Sequence, residues 1–531
     1  MNVLEHNLKK YGWARKQRDQ IVRRADKWLK YDDERLRSLV VPPEIPRAIV
    51  AHEKGAPVNG DALNKIGRNA WKISFDRPWK VIHPVDATVY PSNNFEAFIK
   101  SGYKDRSLLT EPYPDDGWGC YVKGEDRPFW FVAFYAHWSV TRLLLPALDD
   151  LSRAHLITGD SRYAHACALL LWQLAEYYPR YAYEKQSRYG REVNPDYRGR
   201  LLYHTWESHF TGHSVPPAYH AVRSAIGKDR ALTALTGQTA RQIRAHIENR
   251  LLRTMAGDIM DGSGRIQGNY GMHQVTLLRI AAVFKNSRKK PTSRDMVAWV
   301  LNNPDARNYT QLGLEDAINN LLHRDGYPFE SPQYNTLWIK TLNEIVEALG
   351  PQGRKIIALP RFRKLHTWVL RMACAGRFVP SYGDSSNLFH TLLDRTNLRT
   401  GEILESAYRH YKAPIFARAL KQIGARPKRD LFLEPLDGKE LADAAKKYPG
   451  RLGVTSELLP GVGFASLQTG ANPTALALFY GDYWGHAHND RLQLDIYSWG
   501  QALTPDFGYP ETADAYDPRR YGFLSLSLIH I

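Results

Sequence analysis

Between residues 128 and about 425, apolar residues recur at the three- and four-residue spacing of helices with one buried face. Phe131–Ile157 is largely apolar, and Thr158-Gly-Asp-Ser supplies a capping turn before a helix over 162–178. Further helices are predicted at 213–226, 236–256, 270–285, 311–323, 331–349 and 362–375, joined by Gly, Pro, Asp and Asn. Helices following one another in this way suit an α-helical toroid or solenoid. Ahead of them, Ile21, Ala25, Trp28, Leu29 and Leu36 predict an amphipathic helix over 15–40, which Val41-Pro-Pro-Glu-Ile-Pro ends. Residues 45–127 are irregular, with Trp71, Trp79, Tyr90, Phe95, Tyr103 and Trp118 among many Pro, Gly and Asn residues, and predict a loop-rich cover on the helices. After 427 the period changes. Gly461-Val-Gly-Phe-Ala-Ser-Leu, Ala475-Leu-Ala-Leu-Phe-Tyr and Leu492-Gln-Leu-Asp-Ile-Tyr predict short strands. The expected organisation is α+β and multidomain: a helix and loop segment at 1–127, a helical domain at 128–430 and an antiparallel β domain at 450–531.

Composition narrows the classes. The 531 residues are 43% apolar, enough for a large core, but no run of about 18 apolar residues predicts a membrane-spanning helix. The net charge of +17 favours polyanionic partners, either nucleic acid or acidic polysaccharide. No nucleic-acid-binding motif accompanies the charge, so no nucleic-acid or membrane partner is expected. The three cysteines, Cys120, Cys167 and Cys374, lack metal-ligand spacing. The N-terminal residues hold no apolar signal core, so either the protein stays inside the cell or its N-terminus is incomplete. The final Leu-Ser-Leu-Ser-Leu-Ile-His-Ile has no turn or cap, as expected of a truncated β domain.

Three stretches carry candidate chemistry. In Gly485-His486-Ala-His488-Asn-Asp490 the parity His486, His488, Asp490, Leu492, Leu494, Ile496 shares one face of an extended chain. The imidazoles are then expected at the mouth of a strand whose aliphatics enter a core, as a metal or proton-transfer site. A His-x-His-x-Asp metallo-hydrolase is one reading, although Arg491 stands where that motif usually has another histidine. In Arg265-Ile-Gln-Gly-Asn269-Tyr-Gly-Met-His273, Asn269 is a candidate N-cap, with His273, Thr276, Leu277 and Ile280 on one helix face. In Glu330-Ser331-Pro332-Gln-Tyr334, Ser331 fits an N-cap and Pro332 the first helical position. That puts Tyr334 at a helix N-terminus, whose partial positive charge favours a phenolate or a bound carboxylate.

A helical region carrying Asn269, His273 and Glu-Ser-Pro-x-Tyr334, then a β region opening with His486-x-His488, resembles the heparinase II/III-like polysaccharide lyases, including alginate and oligo-alginate lyases. Gly383-Asp384-Ser385 and Trp79-Lys-Val-Ile-His-Pro extend the resemblance to roughly 60–520. It implies an incomplete (α/α) toroid followed by an antiparallel β-sandwich, and β-elimination on a uronic-acid-containing glycan. It implies Tyr334 as catalytic acid and as a candidate base, Asn269 with His273 nearby as neutralisers of the substrate carboxylate, and His486 as the group completing the site. No cofactor is implied for catalysis. A structural zinc is, with His488 and Asp506 as two ligands, and relatives of this kind are typically exported. Glu207, Arg265, Glu330, Trp206 and Trp484 are expected to contact substrate.

The chemistry suits these residues. Elimination removes the C5 proton beside a carboxylate and expels the 4-oxygen, so the site needs donors for the carboxylate, a base and an acid. Two other classes stay open. A toroid glycoside hydrolase would need a carboxylate pair such as Glu207 and Glu330, and a non-catalytic binder of anionic glycan would need neither.

Overall fold

The computed structural model describes residues 3–188, 198–285, 287–380, 382–385, 398–470, 473–482, 485, 486, 488 and 492–504. They form a helix-rich chain with two antiparallel sheets. The chain divides into two compact units, one of Arg15–Val297 and one of Met1–Ala14 with Ala298–Ile531.

In the first unit the apolar stretch becomes Phe131–Ser139, one π-helical turn at Val140–Leu144, and Leu145–Thr158. This 28-residue run is long and apolar enough by composition to cross a membrane, against the sequence expectation, but 78% of its most apolar window is buried inside the protein. Of its first nine residues all but Trp138 are buried, as fits a core helix. Gly159, at φ 71°, ends it, and Asp160 caps Ser161–Tyr177 by accepting from the Arg162 N–H at 2.8 Å, as the capping turn predicted.

The segment expected to be loop-rich holds more order than its Pro and Gly content suggested. Strands β1 (Lys72–Ser74), β2 (Arg77–Ile82) and β3 (Val89–Tyr90) form a small antiparallel sheet. Trp71, Trp79, Tyr90 and Phe95 bury with Phe131 and Tyr135 in one cluster, so the aromatics make this segment part of the core. The buried Asp115 carboxylate fastens it, accepting from the N–H groups of Gly117, Gly119 and Val132 at 2.8, 3.2 and 3.0 Å.

The second unit runs from Leu314–Asn320 through Pro332–Ala348, Leu398–Tyr411 and Pro414–Gln422 to a five-stranded meander. Its strands are β4 (Glu457–Leu459), β5 (Phe464–Gln468), β6 (Ala475–Phe479), β7 (Gln493–Ser498) and β8 (Gln501–Ala502), paired in chain order. The register aligns Ala465, Leu478 and Leu494 in one row and Leu467, Leu476 and Ile496 in the next. This reverses the expected parity. Leu492 and Leu494 are exposed, while Gln493, Asp495 and Tyr497 are buried. The buried Asp495 carboxylate is satisfied within this parity: Gln493 Nε2 and the Tyr497 hydroxyl donate to it at 2.8 and 3.0 Å. Phe378 stacks on Tyr497 beneath the sheet.

Candidate functional site

The site in the second unit starts from the Pro332–Ala348 helix. Ser331 sits at the N-cap in an extended conformation and Pro332 opens the helix, as its fixed φ and missing N–H favour. The Ser331 hydroxyl does not cap, however. It donates to the Asp384 carbonyl at 3.0 Å, tying the helix start to the 382–385 turn. The Gln333 N–H reaches Ser385 Oγ at 3.3 Å in the same junction. Tyr334 lies half-buried in the first helical turn, with Trp338, Thr341, Leu342 and Ile345 buried behind it.

A third segment closes on these two. Gly485 bridges Glu330, its N–H pointing to the Phe329 carbonyl at 3.4 Å. His486 follows with φ at 56°, a left-handed conformation that costs a non-glycine residue roughly 1 kcal/mol. The Asp384 N–H secures it from outside by donating to the His486 carbonyl at 2.9 Å. His486 Nδ1 lies 2.8 Å from Glu330 Oε2, and the imidazole stacks face to face on Tyr334, with centroids 3.4 Å apart and planes 8° apart. His488 turns to a different partner, its Nε2 being 3.1 Å from Asp384 Oδ1 in buried surroundings. The two histidines therefore do not lie on one strand face. The strand begins only at Gln493, and Leu492 is a second left-handed residue before it.

Tyr334, His486 and Glu330 thus meet in one cluster, buttressed by His488 and Asp384. A tyrosine hydroxyl and an imidazole side by side can hold and pass protons. Of the two residues expected to bind zinc, His488 engages Asp384, and Asp506 lies outside the described residues. Among the described residues no three His, Cys, Asp or Glu side chains group as a metal site.

The remaining candidates belong to the other unit, except Trp484, which lies outside the described residues. Asn269 precedes the Met272–Val283 helix but does not cap it. Gly271, at φ 96°, holds that position, and Gln274 Oε1 takes its N–H at 3.0 Å. His273 is buried in the first turn, and Thr276, Leu277 and Ile280 are buried along the expected stripe. Glu207 is fully buried. Tyr178 Oη and the Leu202 N–H both donate to it at 2.7 Å, and burial pushes its carboxyl up to about 7. Arg265 pairs with Glu184 at 3.1 Å and donates to the Gly199 carbonyl at 3.2 Å. Trp206 is half-buried among Tyr203, Phe210 and Trp138.

Nothing in the local sequence signals that Glu330 pairs with His486 or Asp384 with His488. The separations are 156 and 104 residues. The local signals were a glycine just before His486 and an acid beside each helix-start or turn motif.

No family model and no curated protein matches the chain. Among solved structures it is similar to a heparan sulfate lyase from Pedobacter heparinus, with 16% identity over 95% of this chain and 65% of that one, at a TM-score of 0.43. It is also similar to two heparinase III structures. One has 13% identity over 80% of this chain and 57% of that one, at a TM-score of 0.41. The other has 13% identity over 79% and 57%, at 0.43. The chain spans 57 to 65% of the length of these proteins.

Proposed function

We propose that the protein is a polysaccharide lyase that cleaves a uronic-acid-containing anionic glycan by β-elimination, with Tyr334 and His486 handling the two protons. The observation that carries this reading is the stacked Tyr334–His486 pair beside a buried carboxylate. Elimination breaks the C5–H and C4–O4 bonds, forms a C4–C5 double bond and needs one proton removed and one delivered to O4. Two adjacent groups of different basicity meet that need. Tyr334, at a helix N-terminus, is the acid toward the leaving oxygen. Asn269 and His273 are assigned to neutralising the substrate carboxylate, which makes the C5 proton removable. The motif resemblance brings with it the toroid and β-sandwich architecture, and the net charge of +17 suits an acidic glycan.

The hydrolase reading loses ground on one point. Glu330 is bonded to His486 and Glu207 to Tyr178 and Leu202, so neither carboxylate stands ready as half of an acid–base pair.

A panel of alginate, heparan-type and other uronate polysaccharides tests the proposal by the ultraviolet absorbance of the unsaturated product. The wild type should generate that absorbance. Tyr334→Phe should abolish it with an unchanged melting temperature, and Asn269→Ala should lower it at least tenfold. Saturated reducing ends as the only products would establish hydrolysis, and full activity in Tyr334→Phe would remove Tyr334 from the chemistry.

A further inference from the structure

Glu330 is bound into the site more tightly than a substrate-contacting residue need be. Its side chain is 4% exposed against 28% for His486. Its backbone is fixed on both sides, by the Glu330 N–H to the Pro328 carbonyl at 2.9 Å and by Asn335 Nδ2 to its own carbonyl at 2.8 Å. The carboxylate fills the space beside Gly485, where an added Cβ would fall on it. A glycine at 485 is therefore what lets Glu330 reach the ring of the next residue.

We infer that Glu330 is the positioning residue that fixes His486 with its hydrogen on Nδ1 and so makes Nε2 the proton acceptor of the site. The inference rests on the lyase reading for its catalytic meaning, but not for its geometry. An ionised carboxylate only accepts hydrogen bonds, so the nitrogen 2.8 Å from it carries the hydrogen. In the neutral ring the lone pair then belongs to Nε2. Tyr334 fixes the ring's face and Glu330 its edge, leaving little freedom to rotate. In the elimination, Nε2 takes the C5 proton while Tyr334 gives its proton to O4. Return of the proton from the imidazolium to the Tyr334 phenolate through water resets the pair. Glu330 keeps its charge throughout and stabilises the imidazolium once formed.

The test perturbs this one hydrogen bond from both sides. Glu330→Ala removes the acceptor, Gly485→Ala pushes it away, and Glu330→Gln keeps an acceptor oxygen without the charge. Partners that orient metal-ligating histidines act by about 10- to 100-fold, and by analogy kcat should fall by about that much in Glu330→Ala and Gly485→Ala, with KM changed less than about twofold. Glu330→Gln should recover a substantial part. Independently, 15N-histidine NMR of the uncomplexed protein should show His486, assigned by its loss in His486→Gln, as the Nδ1–H tautomer. That tautomer should become mixed in Glu330→Ala and remain in Glu330→Gln. An Nε2–H tautomer in the wild type overturns the inference, as does wild-type kcat in both alanine variants. If no uronate polysaccharide yields an unsaturated product, the lyase reading fails, while the NMR result still decides what Glu330 does to His486.

Discussion

His486 and His488 stand two residues apart and face different partners. His486, with a left-handed φ of 56°, meets Tyr334 and Glu330, and His488 meets Asp384 in buried surroundings. The two substitutions should therefore fail differently. His486→Ala should lose elimination activity and keep its melting temperature. His488→Ala opens a buried site and strips a charged acceptor of its partner, at roughly 1.5–3 kcal/mol, so its thermal unfolding should fall by several degrees. Equal losses of stability in both variants would make His486 structural. At this scale the sequence shows residue types able to hold a proton but not their pairing. Nothing in Gly-His-Ala-His separates a histidine that meets Glu330 from one that meets Asp384, since both partners come from distant turns.

Among the elements, the long helical periods were legible and the strand faces were not. Ser161–Tyr177, Met272–Val283 and Pro332–Ala348 fall within a few residues of their expected bounds, because apolar spacing and caps act locally. Strand β7 buries the face opposite to the expected one, because alternation gives two faces and only the neighbours choose between them. Here Asp495, satisfied by Gln493 and Tyr497, went inside. In the helical unit, His165 ties three elements together. Its Nδ1 is 2.8 Å from Asp229, the N-cap of Arg230–Thr236, and its Nε2 is 3.1 Å from Asp33, the first residue of Asp33–Arg37. The Asp229 hydrogen bond, assisted by Asp33, outweighs burial and raises the imidazole from 6.5 to about 8. A raised histidine stabilises the fold while it is charged. The contribution is complete below pH 6.5 and is lost as pH rises through about 8. The melting temperature should therefore decline across that window in the wild type and stay flatter in His165→Gln. Parallel curves would show that the clamp does not couple to folding.

For the whole molecule, the surplus of 72 Lys and Arg over 55 Asp and Glu is the most accessible functional signal. Exposed charge acts over a Debye length of about 8 Å at physiological ionic strength, so KM for an anionic glycan should rise steeply with added salt while kcat changes little. A salt-independent KM would mean that the excess charge does not meet the substrate. The sequence by itself determined the order of helical and β regions, the long helical periods, the basic charge and the presence of residue types able to hold protons, because periodicity and charge are local or additive properties. The tertiary structure decided which acid holds which histidine, which face of β7 is buried, and that the loop-rich aromatic segment is core. Each of these depends on groups far apart in the chain meeting in space, and on polar side chains finding partners there that make their burial tolerable.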